Sequence, residues 1–337
     1  MGFRLAMTAI ACAASVLVSA QDVSRVPNWP REAEQPDAPR PKPAPPAIAA
    51  MVGEYQGPMR DGTAPRLYLV EQDGRAMYIV DRGETKSAAN VRVMRSADRR
   101  VLAITIDGIR YERQQVGPGG SGQLRVRPIR PVVDVLKESI AVAPPVETGD
   151  FLQADLVELT ALDSTIHLDI RYATTNNFLG SVFYRQPRAF LQRPAAESLL
   201  RVQQKLKPLG YGLLVHDGYR PWYVTRTFWE CTPEDKKWLV ANPASGSRHN
   251  RGAAVDLTLY DLATGAVIEM PSTYDESTQR AYAFYPGGTG LQRWHRALLR
   301  RVMEAEGFTV NPDEWWHFDY KDWRRYSIGN VAFDQIR

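Results

Sequence analysis

Two short stretches of this 337-residue chain hold the side chains best suited to chemistry. One runs Ser247-Arg248-His249-Asn250-Arg251-Gly252-Ala253-Ala254-Val255-Asp256, the other Glu314-Trp315-Trp316-His317. His249, Asp256 and His317 are a candidate metal set. Two neutral imidazoles and one carboxylate suit a divalent zinc ion, and three protein ligands leave a fourth position open for water. Glu314, three residues before the last of them, is placed to take a proton from that water. Zinc is favoured over harder divalent ions by ligand type. Asp256 weighs most, because a lone carboxylate inside an apolar run is costly to bury unless it is paired or metal-bound. Its competing role is structural, an Asp satisfied by backbone N–H groups or an Arg. Residues three apart on an ideal strand face opposite sides. Glu314 and His317 can therefore share a metal only if Glu314 precedes the strand or sits at a bulge, and Pro312-Asp313 supplies a loop just upstream.

The spacing S-x-H-x-x-G-x-A-x-D followed by E-x-W-H does not stand alone. Upstream lie Arg171-Tyr172-Ala173-Thr174 with Asn177-Phe178, then Gly210-Tyr211-Gly212-Leu213-Leu214, then Asp217-Gly218-Tyr219-Arg220-Pro221. In this order the segments resemble the D-alanyl-D-alanine dipeptidases, zinc peptidases related to the D,D-carboxypeptidases. The resemblance spans roughly residues 150 to 330. It implies one zinc per chain and a small D-dipeptide substrate. It also implies that Arg220 stabilises the oxyanion formed when water attacks the peptide carbonyl. A fixed guanidinium in a dry site contributes more there than it could in water. By the same resemblance Asp275 pairs with the substrate's free amine and Ser247 hydrogen-bonds its carboxylate, while Tyr172 and Tyr184 line the pocket. Two other readings stay open: a D,D-carboxypeptidase on peptidoglycan stem peptides, and a non-catalytic metal-containing wall-binding protein. Glu314 and Arg220 argue against the second, since a binding module needs no general base. Of the other three histidines, His167 and His295 read as structural, and His216 at best supports the site from behind.

The elements that must position these groups point to an α+β fold, a zinc peptidase domain with helices packed on an antiparallel sheet. Leu199, Leu200, Val202 and Leu206 give helical spacing over 195–207, stopped by Pro208 and Gly210, and a second helix covers 291–306 before Gly307. Strands are expected over 212–215, 253–259 and 315–320. A small all-β module precedes this domain, signalled by apolar runs at 66–70, 76–80 and 101–106. Asp73-Gly74 and Asp107-Gly108 are its turn signals.

The expected division is a signal peptide over 1–20, a Pro-rich linker over 21–50, the β module over 51–130, a second linker over 131–150, and the peptidase domain over 151–337. Arg4, the apolar run through Val18 and the small Val18-Ser19-Ala20 are features of a cleaved export signal, which places the protein in the periplasm or cell envelope. Lipidation at Cys12 is the alternative. After cleavage Cys231 alone remains, so no intramolecular disulfide supports the fold, and it reads as a structural thiol. No transmembrane segment is expected in the mature chain. The 42 basic and 38 acidic residues are dispersed without a basic block, which argues against nucleic acid as a partner.

Overall fold

The computed structural model describes residues 39–81, 83–115 and 124–336. The expected signal peptide, Cys12 and most of the first linker lie outside them. The described part of that linker ends in a one-turn helix, α1 (Pro46–Ala49), with Pro at its first position.

Seven strands follow: β1 (Gly53–Gln56), β2 (Arg66–Gln72), β3 (Arg75–Val80), β4 (Lys86–Ser87), β5 (Arg92–Arg95), β6 (Val101–Ile106) and β7 (Ile109–Arg113). They form one antiparallel sheet in the order β4-β3-β2-β1-β7-β6-β5. Asp73 and Gly74 both take positive φ (50° and 75°), as do Asp107 and Gly108 (51° and 78°). Two successive left-handed residues twist a two-residue turn to match the strands it joins, which is why Asp-Gly appears twice. One sheet face buries Tyr55, Leu67, Leu69 and Ile104 in a core of its own. The other presents Tyr68 and Val70 to Tyr282 and Tyr285 of the second half of the chain.

The second half mixes helices and sheet. Its elements are α2 (Val132–Ile140), β8 (Leu156–Glu158), α3 (Leu159–Leu162), β9 (His167–Leu168), β10 (Phe190–Gln192), α4 (Arg193–Leu206), β11 (Tyr211–Asp217), α5 (Trp222–Cys231), β12 (Ala254–Asp261), α6 (Gly290–Glu304), β13 (Phe308–Asn311) and β14 (Glu314–Tyr320). The main sheet runs β13-β14-β12-β11-β9. Every pair in it is antiparallel except β9 with β11, a parallel pair that an all-antiparallel reading does not foresee. Nor does the sequence reading foresee α2, which occupies 132–140 of the expected linker and packs on α5. Prolines on both sides mask a nine-residue helix whose Val132 and Val135 are buried.

Helix α4 covers the sheet with Ala195, Ala196, Leu199, Val202 and Leu206, one stripe at helical period, and the chain turns out of it at Gly210 with φ 85°. Helix α6 opens with a capping box between Thr289 and Gln292. Among the described residues, no helix is long and apolar enough to cross a membrane.

Candidate active site

The main sheet brings the charged groups together at its centre. Register pairs Asp256 on β12 with His317 on β14, and Asp217 on β11 with Asp256. A side-chain period of two puts Asp319 on the same face of β14 as His317. His249 arrives from a 3-10 turn, Arg248–Arg251. Ser247 caps that turn, its Oγ accepting from His249 N (3.2 Å), while Asn250 Oδ1 accepts from Ser247 N (2.6 Å). The turn ends at Gly252, φ 64°, where a Cβ would meet Leu156 at 2.5 Å. The left-handed backbone favours glycine there, and any Cβ would also displace the Leu156 side chain.

Three atoms converge. His249 Nε2 lies 3.1 Å from His317 Nδ1 and 3.4 Å from Asp256 Oδ1, and His317 Nδ1 lies 2.9 Å from Asp256 Oδ1. The outer ring nitrogens decide what these inner atoms are. His249 Nδ1 is 2.8 Å from the Gly218 carbonyl oxygen, which can only accept, and His317 Nε2 is 3.0 Å from Asp319 Oδ1. With both outer nitrogens donating, the inner nitrogens carry lone pairs aimed at each other and at a carboxylate oxygen. Three acceptors this close repel unless a metal cation or a shared proton lies between them. With metal–nitrogen bonds of about 2.0–2.1 Å, a tetrahedral edge is about 3.3 Å, and the three separations match such a face. The residues therefore fit a tetrahedral divalent ion, with the orienting outer hydrogen bonds that metal-bound imidazoles need. Burial opposes a charged His317 ring, yet Asp256, Asp319 and Glu314 outweigh it and raise its pKa to about 10.

Glu314 is the first residue of β14, opposite Asn311, and the β13–β14 register shifts between Val310 and Asn311. That irregularity lets Glu314 and His317, three apart, turn to one side. Glu314 Oε2 stands 3.8 Å from His317 Nδ1 and accepts from Asn311 Nδ2 (3.2 Å). Burial, together with the charge of Asp256, raises its pKa.

Arg220 is held at one end. Its Nε and Nη2 donate to Asp217 Oδ2 (2.9 and 2.7 Å), and its guanidinium lies 5.1 Å from the ring centres of both Tyr172 and Phe228. Nη1 makes none of these bonds, and Arg220 lines the same cavity as the metal set. Tyr172 is in the cavity wall. Tyr184 is not: it is buried behind Arg220, where its hydroxyl donates to Asp217 Oδ1 (2.8 Å). Its place is as a brace for the Arg220 partner rather than as pocket lining, a distinction that depends on which way the ring points from the 180s loop.

Asp275 sits across the cavity in a left-handed conformation, φ 63°, and its Oδ2 is buried without a hydrogen-bond partner. A strained backbone and an unpaired buried oxygen at one residue are both costs, of the kind that collects at binding sites. Burial, then the charges of Glu314 and Asp256, push its pKa up to about 7. Ser247 lines the cavity as well as capping its turn. The whole space is about 690 Å³ and continues past Ser245, Trp238 and Trp323.

Residues that sequence reasoning passed over complete the arrangement. Tyr274 donates to Asp256 Oδ2 (3.1 Å) and stacks on His216, their ring centres 4.2 Å apart. Asp217 holds Arg220, and Asp319 holds His317 while pairing with Arg248 at 2.5 Å. The two-residue step from His317 to Asp319 was the one available signal. His167 stacks on Tyr260 and His295 bonds Tyr211, both away from the cavity.

Comparison with known proteins bears on the same half of the chain. The profile of the D-ala-D-ala dipeptidase family matches residues 152–332. A D-alanyl-D-alanine dipeptidase of Escherichia coli is 30% identical over 174 residues, which are 52% of this chain and 89% of that protein. One from Enterococcus faecium is 35% identical over 187 residues, 49% of this chain and 93% of its own. One from Streptomyces coelicolor is 33% identical over 193 residues, 52% and 93% of the two chains. With more than half its length inside that match, and a metal-fitting set of side chains at its centre, the chain belongs to the D-ala-D-ala dipeptidase family of metallopeptidases.

Proposed function

We propose that this protein is an exported zinc dipeptidase that hydrolyses D-alanyl-D-alanine to two D-alanines. The observation that carries the reading is the facing of three lone-pair atoms, from His249, Asp256 and His317, beside Glu314 in a cavity that also holds Arg220 and Asp275. One zinc per chain, held by those three residues, supplies Lewis acidity that makes water a nucleophile near neutral pH. Glu314 takes the proton from the attacking water and passes it to the leaving amine as the peptide bond breaks. Its raised pKa suits a group that must both accept and return a proton. Arg220, clamped by Asp217, offers its remaining N–H groups to the oxygen that gains negative charge. Asp275 receives the substrate ammonium, and Ser247 hydrogen-bonds the carboxylate at the other end.

The accompanying organisation is an export signal over 1–20, a small β module over 51–130 and a peptidase domain over 151–337, in the periplasm or cell envelope. N-terminal sequencing of the protein recovered from the envelope fraction tests the export reading; an intact residue 1 in the cytoplasmic fraction sinks it. The catalytic reading is tested by free D-alanine release from D-alanyl-D-alanine, with chelation and zinc restoration. Release that chelation abolishes and zinc restores supports it. A second reading, D,D-carboxypeptidase action on stem peptides, draws support from the cavity, whose extension past Trp238 and Trp323 is more room than two alanines fill. D-alanine released from a pentapeptide stem but not from the dipeptide would select it.

A further inference from the structure

The seven-stranded sheet lies outside residues 152–332, yet it docks on the loop that walls one side of the catalytic cavity. That loop joins β12 to α6 and contributes Tyr274, Asp275, Glu276, Ser277 and Thr278 to the cavity. Its catalytic side is pinned to the β13–β14 hairpin: Trp315 Nε1 donates to Ser272 Oγ (2.8 Å), and Ala283 N donates to the Pro312 carbonyl (3.0 Å). Arg280 ties it to itself, donating to the Pro271 carbonyl through Nε (3.0 Å) and Nη2 (2.8 Å). The other side belongs to the sheet. Arg66 and Tyr68 both donate to Gln279 Oε1, the latter at 3.0 Å, and Tyr285 donates to Glu54 Oε1 (2.9 Å). The Tyr68 and Tyr285 rings meet edge to face at 5.8 Å.

Glu71 marks the seam most plainly. It is 1% exposed, and a buried carboxylate needs partners. It finds one on each side of the boundary: Gly290 N, at the start of α6, donates to Oε2 (2.8 Å), and Gly74 N in its own β2–β3 turn donates to Oε1 (2.7 Å). Arg293 Nη2 reaches the Glu71 carbonyl at 2.9 Å. The loop is thus held between two sheets, and at its tip Asp275 keeps a left-handed backbone that persists only where the surroundings impose it.

We propose that the N-terminal sheet is a specificity element of the peptidase. Through Tyr68, Glu71 and Gln279 it holds the Asp275 loop at the depth where the free Oδ2 meets a substrate ammonium, selecting substrates with a free amine at that end over acylated or longer ones. Tyr68, Glu71 and Gln279 are positioning residues. The proposal rests on Asp275 as the amine's partner.

The experiment compares Gln279→Ala, Tyr68→Phe, Glu71→Ala and Asp275→Asn in the full chain. It reads bound zinc, thermal midpoint, and kcat and KM for D-alanyl-D-alanine and its N-acetylated form. Gln279→Ala should leave zinc and kcat within about threefold while KM for the free dipeptide rises about tenfold, the scale of one weakened charge-assisted hydrogen bond. The preference for free over acetylated substrate should fall by the same factor. Tyr68→Phe, which keeps the ring and loses one bond, should move the same way by less. Unchanged KM and preference in Gln279→Ala, with Asp275→Asn still shifting the preference, would overturn the role of the sheet alone. An unchanged preference in Asp275→Asn would overturn the amine reading and this proposal with it. If Glu71→Ala does not fold, Gln279→Ala decides, since it truncates only a half-buried side chain.

Discussion

The two sheets of this protein treat charge in opposite ways. The main sheet buries Asp217, Asp256, His317 and Asp319 side by side on β11, β12 and β14, with His216 and His249 against them. The seven-stranded sheet has an apolar core, and among its described residues the one buried charged side chain is Glu71, at the contact with the other half. Both arrangements follow one rule, that a buried charge must be paid for by a partner. In the main sheet the partners are one another together with Arg220 and Arg248, with a place for a cation between His249, Asp256 and His317. In the other sheet the partners are two backbone N–H groups, one of the neighbouring half and one of the sheet's own β2–β3 turn. Buried charge therefore maps chemistry in one sheet and docking in the other.

Removing Glu314 should give the largest contrast with the sheet of apolar core. Glu314→Ala is expected to keep bound zinc and lose on the order of 10³-fold in kcat, the usual worth of a positioned general base; zinc stoichiometry and steady-state rates check both halves, and near-normal kcat would remove Glu314 from its role. Asp256→Asn weakens the metal set itself. Its expected mark is loss of zinc on dialysis, together with loss of activity that added zinc partly restores. Arg220→Lys retains a positive charge but loses the planar fork that bonds Asp217, and should lower kcat/KM by roughly 10²-fold with zinc unchanged.

Leu69→Ala probes the other sheet on the face turned away from the seam. A cavity left by a fully buried leucine costs about 2–5 kcal/mol, so the thermal midpoint should drop while kcat and KM of the remaining folded protein hold. A change in KM from Leu69→Ala comparable to that from Gln279→Ala would blur the line drawn between core and seam.

The smallest expected effect concerns pH. Burial, with a contribution from Arg40, pulls the His295 pKa down to about 4 from the usual 6.5. The unfolded chain therefore binds a proton that the folded chain refuses between those values. Its contribution to stability is complete above about pH 6.5 and is lost as pH falls through about 4. His295→Gln should flatten that part of the stability profile; denaturant titrations at pH 7 and pH 4.5 on both proteins measure it.

How far these features could be read in advance differs between the halves. Helices α4 and α6 stood out in the sequence because each buries one stripe at helical period, and strands β11, β12 and β14 because they are short, largely apolar runs buried on both faces. Helix α2 did not, because Pro131 before it and Pro144-Pro145 after it look like a connection. The metal-fitting set stood out for a similar local reason: an Asp in the middle of an apolar strand, and a His seven residues before it in a glycine-closed turn. Tyr184 shows the opposite case. Its sequence neighbourhood does not say whether its hydroxyl turns to the cavity or to Asp217, and only packing settles that it turns to Asp217.

By itself, then, the sequence determined which residue types could bind a metal and move a proton, and which segments form the strands and helices that carry them. Those are properties of local period and of the cost of burying charge. Tertiary structure alone decided the pairing of Asp256 with His317, the orientation of both imidazoles by Gly218 and Asp319, and the wedging of the Asp275 loop between two sheets. The Gln279 side-chain Oε1 meets the Tyr68 hydroxyl across 211 residues of chain. No local pattern encodes such a contact, because it exists only after two separately patterned sheets have folded and met.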